Sequence, residues 1–474
     1  MLRLYDTRQR SVTDILLARR GQLRLYACGP TVYRFAHVGN LRTFLLPDLI
    51  KRNAERHGLS VIMCQNITDV GHLVDDGEAD PNGEDKVLAQ ARAEGKSALE
   101  IAQFYTDAYR ADCASLNIAP PDFAPRASES IDLMIEMIGK LIDSGHAYPA
   151  GDGSVYFDAR SFTDYGAISG NRLDSLRPGY RTHGEVDSHK RFHADWALWK
   201  GAPEDRELTW QTPWGNGFPG WHTECSAMSL RYLGNVIDIH TGGIDLRFPH
   251  HEDERAQSNS LTGHEVVQHW VHGEHVLFEG RKMAKSTGNV VLLADVAGRG
   301  LDPLAVRLAF LEHRYRQQMN LTWDTLTAAD ATVRRWRELV AEWADSPSKP
   351  MCAEYSQRIS DALDDDLDTP TALLTLRELA KDPEIRPGSK FETFAAADRV
   401  LALDLVSLIG RPRPAPAPLP AGADDRLAER AAARARKDFG TSDRLRDELA
   451  ELGVAVADTP EGQTWIVTAA ARRG

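Results

Sequence analysis

The segment from Gln22 to Gln65 constrains the fold most. Residues 22–28, QLRLYAC, read as a short strand ended by Gly29-Pro30. An apolar-periodic stretch from Leu41 to His57 reads as a helix, and SVIMCQ, residues 60–65, as a second strand. Strand, helix and strand in so short a span make a βαβ unit, whose crossover forces the two strands parallel. The expected class is therefore α/β, opening a doubly wound parallel sheet. Pro47 stands inside the helical stretch and is expected to kink or reset it.

The rest of the chain extends that plan. An acidic, Gly- and Pro-containing run at 75–86 reads as an exposed loop, and long helices are expected at 87–116 and 127–144. Residues 146–200 mix short strands and turns and read as an insertion between two halves of the sheet. NVIDIH, residues 235–240, is a buried-type strand opening into Thr241-Gly242-Gly243. Helices follow at 303–312, 324–347, 354–363 and 370–380. RPRPAPAPLPAG, residues 411–422, is a polyproline-like linker. Beyond it, 423–474 reads as two charged helices and a hairpin of VAVAD with TWIV. No repeat is visible.

With 474 residues, 42% hydrophobic and 26% charged, the chain has room for two to four globular domains. No apolar run reaches membrane-spanning length, and MLRLYDTRQRSVTD carries charges where a secretory signal needs an apolar core. Five scattered cysteines fit a reduced, cytoplasmic protein better than a disulfide scaffold. A net charge of −13 argues against a generally basic nucleic-acid coat but leaves room for a local basic groove.

Chemistry concentrates in three places. If a helix begins near Phe248 in RFPHHEDE, His250 and Glu254 fall at i and i+4 on one face. With two thiolates such as Cys28 and Cys225, that imidazole and carboxylate can complete a tetrahedral zinc set. Taken alone, the pair also reads as a solvated i,i+4 contact. The loop Cys28-Gly29-Pro30 to His37-Val38-Gly39-Asn40 puts a histidine and a glycine just before a helix N-terminus, which suits a phosphate. Lys282-Met283-Ala284-Lys285-Ser286-Thr287-Gly288-Asn289 pairs two lysines in a glycine-bounded loop, able to stabilise charge as pyrophosphate leaves. A Walker A loop is missing, since Gly95-Lys96-Ser97 lacks the upstream glycine.

A His-x-Gly loop after the first strand, paired with KMAKS late in the second half-sheet, resembles the two signatures of class I aminoacyl-tRNA synthetases. The wording is similar to the cysteinyl-tRNA synthetase family through YACGPTVY, HVGN, NITDVGH, GHAY, DWALWK, PGWHTECSAM, DIHTGGIDL, FPHHEDERAQS, KMAKSTGN, DDDLDTPTAL and DTPEGQTW. The resemblance runs from residue 26 to residue 465.

It implies a Rossmann-type catalytic domain with its first half at 1–115, a connective insertion at 116–205 and its second half at 206–275. A mobile-loop and stem-contact region at 276–315, a helical bundle at 316–410, the Pro-rich linker at 411–422 and a small α+β anticodon-binding domain at 423–474 would follow. The family's zinc ligands fall on Cys28, Cys225, His250 and Glu254. Gly29 and Thr68 lie where the amino end of the substrate is held, and Trp221 where an aromatic residue lines the pocket. His37, Asn40, Lys282 and Lys285 take the catalytic positions. Gly243 and Asp245, with His37, Asn40 and Lys285, take the ATP site. Arg434, Arg436, Lys437 and Trp465 are the candidates for tRNA contact.

The implied activity is ligation of L-cysteine to tRNA(Cys) through a cysteinyl-adenylate, with one Zn2+ selecting the thiolate and Mg2+ accompanying ATP, by a cytoplasmic monomer. A cysteine ligase acting on an amino sugar and a non-catalytic tRNA-binding paralogue are the alternatives. The sequence departs from the family pattern at Asn40, where His is usual, at Ala284, where Ser is usual, and at Thr241, where Gly is common.

Overall fold

The computed structural model describes residues 2–71, 85–177, 188–203, 206–283, 289–411, 419–459 and 462–467. The chain divides into two units, Met1–Ile409 and Gly410–Gly474. In the first unit, four strands form a parallel sheet in the order Val267–Gly273, Ile237–Gly243, Gln22–Ala27, Ser60–Gln65. The central two are buried along their whole length apart from half-buried Gln22, as strands covered on both faces of a parallel sheet are. Gln22–Ala27 is joined to Ser60–Gln65 through the helix Val38–Arg56, and Ile237–Gly243 to Val267–Gly273 through the helix His250–Thr262. The two crossovers leave the sheet in opposite directions from its middle. That reversal opens a crevice beyond Ala27 and Gly243, where ligands bind in folds of this kind.

The helix Val38–Arg56 runs through Pro47 as one element. The next residue, buried Asp48, accepts from Arg307 Nη2 at 2.7 Å, Arg52 Nε at 2.9 Å and the Ala119 N–H at 2.9 Å. Arg307, itself wholly buried, also donates to the carbonyls of Leu116, Asn117 and Leu401. Its guanidinium thus ties its own helix and the ends of two others to the middle of that helix and supports it across the proline.

Several expectations require correction. The helix foreseen at 87–116 is two, Lys86–Glu94 and Ala98–Ser115. Gly95 ends the first in the left-handed region at φ 64°, and Ser97 with Glu100 caps the second reciprocally. The antiparallel sheet of the insertion, ordered Ala147–Pro149, Val155–Phe157, Trp196–Gly201, Gly215–Pro219, Trp210–Thr212, extends past residue 205, because Trp199–Gly201 pairs with Gly217–Pro219. A hairpin of Arg3–Asp6 with Ser11–Asp14 precedes the first sheet strand. The helices Leu293–Gly298 and Pro387–Leu401 add to the four expected after residue 288. Of the acidic run at 75–86, only Asp85 and Lys86 lie within the described residues.

In the second unit, Ala423–Ala435 and Phe439–Glu451 pack with the hairpin Val454–Thr459/Gly462–Val467 around Ala423, Leu427, Leu449 and Val454. Buried Arg430 holds the hairpin through both oxygens of Asp458 and through Gln463, all at 2.9 Å.

Candidate active site

The four foreseen metal ligands converge from three elements. Cys28 follows the first sheet strand, Cys225 lies on the helix Trp221–Leu233, and His250 and Glu254 share one face of His250–Thr262. All four are buried, and their ligand atoms lie within 4.8 Å of one another. The sulfurs stand 4.0 Å apart, Cys28 Sγ is 3.6 Å from Glu254 Oε1, and His250 Nε2 is 3.0 Å from the same oxygen. A tetrahedral ion with metal–sulfur bonds of about 2.3 Å would separate two sulfurs by about 3.8 Å, close to this spacing. The donor set fits zinc.

Electrostatics favours a cation here. Burial pushes the Cys28 thiol well above its ordinary value. Burial also raises Cys225, but the hydrogen bonds of Cys28 and His250 outweigh it and leave Cys225 below its ordinary value. His250 is lowered by burial and raised more by Glu254 and Cys225, ending at about 10. The site therefore gathers negative charge and offsets it with protons that a dication can replace.

Four further histidines, absent from the sequence-based ligand set, surround it. Thr7 Oγ1 meets His272 Nδ1 at 2.7 Å, His272 Nε2 meets His251 Nδ1 at 2.8 Å, and His251 Nε2 reaches Cys28 Sγ at 3.2 Å. His240 Nε2 lies 3.4 Å from the same sulfur. On the other side, His222 Nδ1 fixes His250 Nδ1 at 2.7 Å. Burial lowers His240 to about 4 and His272 to about 3, so both rings are neutral. Cys28, His240, His251 and Glu254 make a second donor set within the same 4.8 Å limit, sharing two members with the first. The signals were present as DIHTGG and the doubled histidine of PHHED, but periodicity alone cannot tell a core histidine from a ligand.

Above the ligands lies a cavity of about 260 Å³ lined by Cys28, Gly29, Asn40, Trp221, Gly243 and Asp245 among others. Trp221 packs on His250 at 4.1 Å between ring centroids, placing an indole face beside the metal donors. Gly29 is required by close approach, since a Cβ there would stand 1.6 Å from the Asn66 carbonyl oxygen. Thr68 pairs with the same loop through its N–H to Pro30 O and its carbonyl to the Val32 N–H. Its hydroxyl donates to Glu224 Oε2 at 2.9 Å. Burial, then the charge of Cys225, holds that carboxyl well above its usual range.

His37 and Asn40 form a reciprocal cap on the helix Val38–Arg56. The Asn40 N–H donates to His37 Nδ1, and the His37 N–H to Asn40 Oδ1, both at 3.2 Å. With Nδ1 accepting, neutral His37 carries its proton on Nε2. Burial, helped by Arg34, lowers His37 to about 4. It is a neutral donor at physiological pH. Lys282 is exposed on the short strand Arg281–Lys282, and Lys285 lies outside the described residues. Both flanks of that segment reach the same helix turn: Met283 Cε packs where a Gly39 Cβ would stand, and Val291 O accepts from the Val38 N–H at 2.9 Å.

Residues 15–331 match the model of the class I (C) tRNA synthetase catalytic domain, and residues 417–465 the cysteinyl-tRNA ligase anticodon binding domain. A cysteine–tRNA ligase from Thermus thermophilus is 41% identical, over 98% of this chain and 98% of its own. One from Burkholderia lata is 41% identical, over 98% and 96%. The chain belongs to the cysteinyl-tRNA synthetase family. Among solved structures, an Agrobacterium radiobacter leucyl-tRNA synthetase complex with tRNA superimposes with a TM-score of 0.60 at 12% identity, over 84% of this chain and 86% of that one. A Mycobacterium tuberculosis methionyl-tRNA synthetase with methionyl-adenylate gives 0.54 at 14%, over 81% and 90%. These likenesses establish the class I fold.

Two departures from the cysteinyl-tRNA synthetase pattern have local explanations. Asn40 completes the cap on His37, with a carboxamide oxygen accepting the N–H that the loop leaves open. Thr241 turns its hydroxyl to the Tyr26 carbonyl at 3.4 Å, while its own carbonyl accepts from the Cys28 N–H at 3.1 Å. In the unit that carries the anticodon-domain match, Arg434 pairs with Asp458 at 3.0 Å. Arg436 and Lys437 are exposed, and Trp465 is 37% exposed. Phe439, at 58%, is more exposed than Trp465.

Proposed function

We propose that this chain joins L-cysteine to tRNA(Cys) in two ATP-driven steps through a cysteinyl-adenylate. The observation that carries the reading is the meeting of Cys28 and Cys225, from the two halves of the sheet, with His250 and Glu254 beneath a cavity at the sheet's reversal. Those four residues hold zinc, and the ion supplies a preference for a thiolate over an un-ionised hydroxyl, which separates cysteine from serine. The set with two thiols is favoured over the one with His240 and His251 because both sulfurs face each other and Trp221 packs on His250.

Gly29 and Thr68 hold the amino end of the substrate, and Trp221 walls its side chain. Gly243 and Asp245, at the mouth of the same cavity, take the adenosine. The cysteine carboxylate attacks the α-phosphate of ATP, which arrives with Mg2+. His37 assists through its Nε2–H, and Lys282 and Lys285 balance the charge that grows on pyrophosphate. Asn40 contributes by fixing His37. The terminal ribose hydroxyl of tRNA then attacks the adenylate carbonyl. Arg434, Arg436, Lys437 and Trp465 contact the tRNA from the 423–474 domain, beyond the 411–422 linker. The chain works as a cytoplasmic monomer; no helix among the described residues is long and apolar enough to cross a membrane. An amino-sugar acceptor would leave the 417–465 match without a task.

Metal analysis joined to cysteine-dependent ATP–pyrophosphate exchange tests the reading. One zinc per chain is expected, with exchange driven by cysteine and not by serine. Cys225→Ser is expected to lose zinc and exchange together. Normal exchange by a zinc-free Cys225→Ser protein overturns the proposed role.

A further inference from the structure

Beneath the cavity, three buried side chains run in series from one thiol-bearing element to the other. The Gly29 N–H donates to Asn66 Oδ1 at 2.8 Å, Asn66 Nδ2 donates to Thr68 Oγ1 at 3.0 Å, and Thr68 Oγ1 donates to Glu224 Oε2 at 2.9 Å. Asn66 and Thr68 are 1% exposed and Glu224 is wholly buried. The ends of the series decide its meaning. Gly29 follows Cys28 and Glu224 precedes Cys225, so the bonds span the backbones on either side of the two sulfurs.

We propose that Asn66, Thr68 and Glu224 are positioning residues, a hydrogen-bonded strap that sets the separation of the Cys28 and Cys225 sulfurs. The inference rests on the zinc reading above. The loop at Cys28 is locked to Thr68 by backbone pairing, through Thr68 N to Pro30 O and Val32 N to Thr68 O. Cys225, however, rides on a separate helix. The Thr68–Glu224 bond is a side-chain tie from the first half of the sheet to the residue before it.

The strap also has a direction. A threonine hydroxyl carries one proton, here given to Glu224, and one lone pair accepts from Asn66. Glu224 Oε1 adds a second, independent sign of function. It is buried without a hydrogen-bond partner, 3.0 Å from where a Cβ on Gly71 would stand. A buried carboxyl with one oxygen unpartnered is costly to keep unless its placement serves the site.

The test uses the full chain, loaded with zinc or with cobalt as a spectroscopic substitute. Thr68→Val removes the hydroxyl at nearly constant volume, and Asn66→Ala removes the middle link. Each is expected to release zinc to a chelator about 10–100-fold faster, the usual loss when the outer partners of a metal site are removed. Each should also shift the thiolate-to-cobalt absorption. The double variant should release zinc no faster than the worse single one, because the links act in series. Thr68→Val should raise KM for cysteine while leaving KM for ATP unchanged. Thr68→Ser and Glu224→Gln, which keep a hydroxyl and an acceptor, should match the wild type in zinc release and cobalt absorption.

Wild-type zinc release and cobalt spectra in folded Thr68→Val overturn the proposal. If Asn66→Ala fails to fold, Thr68→Val with its Thr68→Ser control carries the test. A wild-type protein without a thiolate–cobalt band, or one whose band survives Cys225→Ser, would instead sink the zinc reading itself.

Discussion

At Gly29 the first sheet strand and the loop after the second come so close that a single added carbon would overlap the Asn66 carbonyl oxygen. Gly29→Ala is expected to force those strand ends apart, lowering the melting midpoint and the bound zinc together; unchanged values for both would contradict it. His37 yields a pH prediction. Its pKa lies below the ordinary 6.5, at about 4, so protonation favours the unfolded chain as pH falls between those values. Stability from this group is complete above 6.5 and lost on descent toward 4. A pyrophosphate-exchange profile should therefore show no His37 limb near 6.5, the inflection appearing near 4 and vanishing in His37→Gln. Cys28, Cys225, His250 and Glu254 were singled out by the family resemblance, since the residues alone leave His250 and Glu254 readable as a solvated pair. His222, His240, His251 and His272 were not, since nothing in a single sequence says which imidazoles are buried around the same donors.

Elements were legible where one period dominates. The strands of the parallel sheet are buried along most of their length, and the helix Trp323–Ala344 was foreseen within a few residues of its ends. The hairpin Arg3–Asp6/Ser11–Asp14 was missed because four-residue strands give periodicity too little to act on. Gly95 split one expected helix because apolar spacing carried across a residue that local backbone geometry had already turned. Asp48 and Arg307 show tertiary structure overriding propensity, as the salt bridge sits beside a proline that helix preference would exclude. Arg307→Ala removes that buried pair's cation and strands several carbonyls, while Arg52 still serves Asp48. A loss of about 3 kcal/mol is expected, at the low end for a broken buried pair. Denaturant unfolding of the variant measures it, and a change below about 1 kcal/mol would reduce the pair to an ordinary hydrogen bond.

Over the whole molecule, the separation at residues 409 and 410 divides the work as well as the chain. Trp465→Ala is expected to weaken tRNA charging and to spare cysteine-dependent pyrophosphate exchange. Equal loss of both would make Trp465 a folding residue. Because phosphate contacts release counterions, the tRNA affinity should also fall steeply with salt even though the chain carries a net charge of −13. The proposed metal donors carry a last consequence. They stand at positions 28, 225, 250 and 254, so a nascent chain has made more than half its length before the fourth exists. On the ribosome, capture of the ion can only follow synthesis of both crossovers' inner ends, and a chain cut short before Glu254 cannot be rescued by added metal.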